Sequence, residues 1–299
     1  MNQPGGRAGG PTASGGVPAA LAAYLIWGLV PVFFKWLSAV PALEIIAHRV
    51  VWSAILMAAL LAARGGFAQV RDTAREPRRL ARVALGSAMI LGNWLTFVWA
   101  VNANRILETS LGYFVNPLVS IALAMVFLGE RLRPLQWAAL ALALAGVASE
   151  ILRTGGLPWV SLVLAATFGL YGLLRKQLAM GAAEGLFLET MLAVPFALGW
   201  LAWLAAEGRG AFVPSVPATA GLLILSGPVT AIPLLLFAIG ARRLPLSTIG
   251  MLQYVAPSIT FLLAIFAYGE AMDAHRAASF AAIWAGLAVY SVDLLRRRT

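Results

Sequence analysis

Long apolar stretches broken by short polar ones set the rhythm of this chain. Ten runs lie near 18–38, 43–63, 80–102, 107–128, 135–152, 157–177, 184–206, 219–239, 245–268 and 276–294. Runs of about 18 residues or more predict helices that cross a membrane. A soluble core of this size would show amphipathic periodicity and far more charge. The gaps leave no room for a soluble domain, the longest separating the second run from the third. One stretch occurs twice. ETSLGYFVNPLVSIALAMVFLGERLR, at 108–133, returns in diluted form as STIGMLQYVAPSITFLLAIFAYGEAM at 247–272. Asn116-Pro117 aligns with Ala256-Pro257 and Gly129-Glu130 with Gly269-Glu270, both at an offset of 140 residues.

The remaining runs pair in the same way. Trp27-Gly28 and Lys35 in the first run become Phe168-Gly169 and Lys176 in the sixth, and Glu189 in the seventh stands where the second has His48. Trp99-Ala100 matches Phe237-Ala238, and Ala145-Gly146 matches Ala285-Gly286. Five spans per half is an odd number, so the second half enters the membrane from the opposite side, as an inverted-topology repeat. The expected fold is an all-α integral membrane protein of ten helices in two inverted five-helix halves. Its parts are a disordered tail (1–16), a first repeat (17–152), a second (153–295) and a basic cytoplasmic tail (296–299). The Gly/Pro/Ser-rich tail carries no convincing signal peptide.

Composition agrees: 61% of residues are hydrophobic and 11% charged. The net charge of +10 raises the question of nucleic acid, but its placement answers it. With the N-terminus inside, sixteen of the 22 Lys and Arg fall on the inner side, among them Arg64, Arg71, Arg75, Arg78, Arg79 and Arg82. Lys35, Arg105, Arg153, Arg209 and Arg276 fall outside, and Arg49 within a span. That bias sets topology, with both termini cytoplasmic and no nucleic-acid partner expected. There is no cysteine and there are two histidines, His48 and His275. No disulfide, thiol nucleophile, metal site or cofactor is expected. An enzyme is disfavoured, because Ser226-Gly227-Pro228 has no histidine at matching depth. A channel lacks a ring of like charge or a carbonyl-rich filter.

Polar, ionisable and aromatic residues inside spans are the candidates for binding a solute. Tyr24, Trp27 and Lys35 share a face of the first span, and Glu44, His48 and Trp52 share one of the second. Arg49 points about 100° away from that face and ranks below His48. Asn93, Trp94, Trp99, Tyr113 and Asn116 cluster in the third and fourth spans, with Gln253 and Tyr254 in the ninth. Deep tryptophans need a partner for their N–H, and lipid cannot satisfy the Asn116 and Gln253 amides. Any of these amides also serves as interhelical glue. Glu130, flanked by Arg131 and Arg133, is expected in a helix-end ion pair. Prolines free a carbonyl and kink a helix, so Pro31, Pro117 and Pro257 are the expected hinges.

Pro41–Trp52 (PALEIIAHRVVW), Gly92–Asn102 (GNWLTFVWAVN) and Ser110–Leu132 (SLGYFVNPLVSIALAMVFLGERL) resemble the RarD group of the EamA family, in the drug/metabolite transporter superfamily. The likeness runs from about Ala19 to about Leu295. It implies ten helices in two inverted halves, a bacterial inner-membrane location and export of small metabolites or drugs. The residues themselves speak to substrate charge. The carboxylates sit in outer or inner thirds, while the deep residues are Trp, Tyr, Asn and Gln. That lining suits a small neutral or zwitterionic solute, hydrophobic or aromatic amino acids first. The alternative is a multidrug or cation exporter with proton antiport. A monomer or weak homo-oligomer in the bilayer is expected.

Overall fold

The structure, a computed structural model, describes residues 15–296 apart from 104, 154, 156–158, 214 and 268–273. The tail expected at 1–16 lies almost wholly outside the described residues, as do Gly269-Glu270 and 297–299. The apolar runs fold as α-helices because lipid offers backbone N–H and C=O groups no partner outside their own segment. In order these are α1 (Gly16–Lys35), α2 (Ala42–Arg64), α3 (Phe67–Arg75), α4 (Pro77–Asn102), α5 (Ile106–Leu128) and α6 (Pro134–Arg153). They continue as α7 (Trp159–Gln177), α8 (Ala182–Ala206), α9 (Pro217–Arg243), α10 (Leu246–Gln253), α11 (Val255–Phe266) and α12 (Ala274–Leu295). Every regular element among the described residues is helical. Nine stretches are long and apolar enough to cross a membrane, α10 with most of α11 counting as one. The run expected at 157–177 is α7, whose last turn carries Arg175 and Lys176, and it is not among the nine.

Short connectors make successive long helices antiparallel, giving the bundle two ends. The α1–α2 and α8–α9 connections share one end, joined by packing of Leu37, Val40 and Ala211 against Leu223. At the other end Gly16 abuts Leu244, and α3 fills the gap between α2 and α4. The apolar runs gave no hint of α3, because only Val70 and Thr73 of its nine residues are buried.

Glycines mark where helices cross closely. A Cβ at Gly146 of α6 would lie 2.6 Å from Ser279 O on α12, and one at Gly286 of α12 would lie 2.6 Å from Ala139 O on α6. Gly28 of α1 meets Ile259 of α11, and Gly169 of α7 meets Val119 of α5. Within each pair, exchanging residues by 140 or 141 positions converts one contact into the other. Elsewhere α1 lies on α9, α4 on α7, and α2 between α8 and α9.

The expected hinges differ from one another. α1 and α5 run without interruption across Pro31 and Pro117. The ninth span is broken at Tyr254 between α10 and α11, three residues before Pro257, which cannot donate back into that turn. Glu130 departs from the ion pair expected of it. Gly129, at φ +63°, ends α5 in a left-handed cap. Glu130 then accepts hydrogen bonds from the Leu246 and Ser247 amides at 2.7 and 3.0 Å, and from the Ser247 hydroxyl. It caps α10, while Arg133 pairs with Asp293 of α12.

Candidate functional site

One polar group that meets side chains from several helices is one that sequence reasoning ranked low. Arg49 lies seven residues into α2, about 10 Å from its start. Its Nε donates to Thr230 Oγ1 on α9 at 2.7 Å. Its guanidinium sits over the Trp94 ring of α4 at 4.5 Å and the Phe34 ring of α1 at 5.1 Å. It also interacts electrostatically with Tyr113 of α5. Three other helices therefore bring side chains into contact with one cation. Among the described residues no carboxylate pairs with it. The signal in the sequence was an arginine inside a span. Its 100° offset from His48 aimed it at Trp94, not away from the site.

The other candidates fall into four groups. Tyr24 and Trp27 join Phe168, Tyr171 and Phe237 in an aromatic cluster, with Trp27 at 5.7 Å from both phenylalanines. The Tyr24 hydroxyl donates to Ile249 O at 3.4 Å. His48 and Trp52 pack on Phe212 in the α8–α9 connection, with ring centroids 5.0 and 6.3 Å away. His48 Nε2 stands 4.0 Å from Glu44 Oε1, which accepts from the Ala211 amide at 2.6 Å. Trp52 Nε1 is buried with no hydrogen-bond partner, contrary to the expectation for a deep tryptophan.

A third group ties α5 to the helix break. The Tyr254 hydroxyl donates to Phe114 O at 3.3 Å and Ser120 Oγ to Gln253 Oε1 at 3.1 Å, both partners being buried. Asn116 is buried one turn after Tyr113, its Oδ1 unpartnered. Asn93 donates from α4 to Leu164 O and Thr167 Oγ1 on α7, both at 2.9 Å. These amides hold helices together in the way the glue reading described. Trp99 stands apart. It is 48% exposed at the end of α4, 5.1 Å from Trp159 and close to the Arg105–Glu108 ion pair. The structure therefore does not bring it to Trp94.

Two features escaped the sequence reading. Glu189 on α8 and Arg175 on α7 form an ion pair at 3.3 Å, 3% and 2% exposed. Tyr171 donates to Glu189 Oε2 at 3.1 Å, and Arg175 Nη2 to Ala182 O at 2.8 Å. Glu189 was noted only as the counterpart of His48. Next to this pair lies a small, water-sized crevice, lined by Ile90 and Trp94 of α4 and Leu186, Thr190 and Ala193 of α8, with Val50 of α2, Tyr171 of α7 and Leu234 of α9 completing it. The counterpart helices, α2 and α9, pack on each other more extensively than α4 and α8 do. Gly227 leaves no space there, since a Cβ would lie 2.3 Å from the Trp52 Cβ, and Ser53 donates to Gly227 O at 3.1 Å.

A profile of the EamA-like transporter family matches residues 14–149. The chain is 45% identical over 281 residues to a Vibrio cholerae protein described as an uncharacterized transporter, covering 94% of this chain and 93% of that one. It is 43% identical over 286 residues to protein RarD of Escherichia coli K12, covering 95% and 97%. It is 36% identical over 285 residues to the chloramphenicol-sensitive protein RarD of Pseudomonas aeruginosa, covering 94% and 95%. One solved crystal structure, 22% identical, superposes with a TM-score of 0.73 over 94% of this chain and 98% of that chain, a likeness of fold.

Proposed function

The chain belongs to the EamA-like transporter family as a RarD-like member, a multi-pass membrane transporter, and from that premise we propose that it works by alternating access of two inverted five-helix repeats, residues 17–152 and 153–295. Support for the repeat comes from the crossings of Gly146 with Gly286 and of Gly28 with Gly169, whose partners exchange at the repeat offset. The observation that carries the mechanism is an asymmetry. The α2–α9 pair is sealed at Gly227, while its counterpart, α4–α8, is less closely packed and borders a small crevice. Ala193, the repeat counterpart of Trp52, lines that crevice. Rocking one half against the other would exchange the two arrangements and move the opening from one side to the other.

The cargo in this reading is a small neutral or zwitterionic metabolite, hydrophobic or aromatic amino acids first, exported across the bacterial inner membrane. The aromatic cluster around Trp27 and the amides near Tyr113 favour it. Proton-coupled export of cations is the second reading and draws on buried Glu189, which Arg175 already neutralises. The name of the Pseudomonas relative adds amphenicols to the panel. Purified protein in liposomes, tested for counterflow of amino acids, chloramphenicol and cationic dyes with and without a pH gradient, decides between them. Saturable amino-acid counterflow without pH dependence supports the first reading. Dye movement driven only by the gradient supports the second, and no saturable movement of any solute removes both.

A further inference from the structure

We propose that Arg49 forms an anion subsite that binds the carboxylate of the transported solute. The inference rests on the transporter reading and narrows it to solutes that join a carboxylate to an apolar or aromatic body. Arg49 is the carrier of the argument. Its Nε is spent on Thr230 and its guanidinium carbon lies over the Trp94 and Phe34 rings, but its terminal nitrogens make no hydrogen bond among the described residues. A guanidinium presents those donors as a planar fork that matches a carboxylate. The nearest carboxylate on its own helix, Glu44, is turned to the Ala211 amide and His48. The charge is therefore not neutralised from within.

An unpaired cation about 10 Å into a span cannot face hydrocarbon, so its open side must meet water or a ligand. Tyr113 of α5, 51% exposed, interacts electrostatically with Arg49. Phe97 stands 6.3 Å from the Tyr113 ring, and Trp94 lies beneath the guanidinium. An anion held by Arg49 would thus have its apolar part beside aromatic rings. Contacts with Thr230, Trp94 and Phe34 hold the guanidinium in place in advance, which lowers the ordering penalty on binding.

The test uses matched pairs of probes on the full chain in lipid nanodiscs, by isothermal titration: L-phenylalanine against L-phenylalaninamide, and 3-phenylpropionate against 3-phenylpropionamide. The carboxylate member of each pair is expected to bind at least about tenfold tighter, as a charge-assisted bidentate contact would give. Arg49→Gln should abolish that preference while retaining the weaker amide binding, and Arg49→Lys should restore part of it. A purely structural role would weaken both members of a pair equally in Arg49→Gln, and that result overturns the proposal. Equal binding of carboxylate and amide by the wild-type chain overturns it too, as does no binding of either carboxylate. Counterflow of amino acids, chloramphenicol and cationic dyes by the same protein reconstituted in liposomes shows separately whether the chain transports at all, so failure of the subsite and failure of the transporter reading are distinguishable.

Discussion

At the scale of single residues, the bundle treats its charges in two ways, and the difference is measurable. Arg175 and Glu189 are almost fully buried and satisfy each other, with Tyr171 and Ala182 O taking further bonds. Removing one partner of such a pair strands the other and costs about 3–5 kcal/mol, whereas replacing both by apolar residues is far milder. Glu189→Leu should therefore lower the melting temperature of detergent-solubilised protein sharply, and Arg175→Met/Glu189→Leu should recover most of the loss. Equal destabilisation by the single and double variants would mean that the pair is not coupled. The sequence showed each charge but not its partner. Glu130 was legible within a conspicuous Gly-Glu-Arg-Leu end, yet the amides that it caps lie 116 and 117 residues further on. The surroundings of Arg49 were hidden for the same reason. Spacing along one helix says which residues share a face, and it is silent about Trp94, Phe34 and Thr230 arriving from three other helices.

At the scale of helices, apolar run length was enough to find every long helix, because lipid imposes that length and forbids irregular backbone facing it. It missed α3, which is short and mostly exposed, and could not locate the break in the ninth span. A proline announces that a hydrogen bond is missing, but neighbouring packing decides whether the helix bends or breaks. Gly250 lies so close to Pro117 that a Cβ there would be 2.9 Å from the Pro117 carbonyl oxygen, and Tyr254 is anchored to Phe114 O. The break on one helix is thus clamped to the unbroken proline of the other. If this joint flexes during transport, Pro257→Ala should rejoin α10 and α11 and slow counterflow several-fold, and Pro117→Ala should slow it as well. Unchanged rates in both variants would leave the two prolines as static features of helix shape.

For the whole molecule, the absence of cysteine from the sequence supplies a clean background for accessibility measurements. Ser38→Cys, at the α1–α2 end, should react in intact cells with a maleimide that cannot cross the membrane, and Ala68→Cys on α3 should be protected until the cells are opened. The reverse pattern would invert the topology drawn from the sixteen basic residues. The same background tests the rocking of the halves. Gly227 permits the α2–α9 seal because a side chain there would strike the Trp52 and Ser53 backbone. Gly227→Val should pry that pair apart, and in a molecule with two coupled arrangements it should close the α4–α8 crevice in response. Two reporters read the two places: Ser53→Cys at the seal and Thr190→Cys in the crevice. Adding Gly227→Val should raise the labelling rate of the first and lower that of the second, with the elution profile of the folded protein unchanged. Should both rates rise together, the substitution has only loosened the packing, and the asymmetry between α2–α9 and α4–α8 is a fixed feature of a single state.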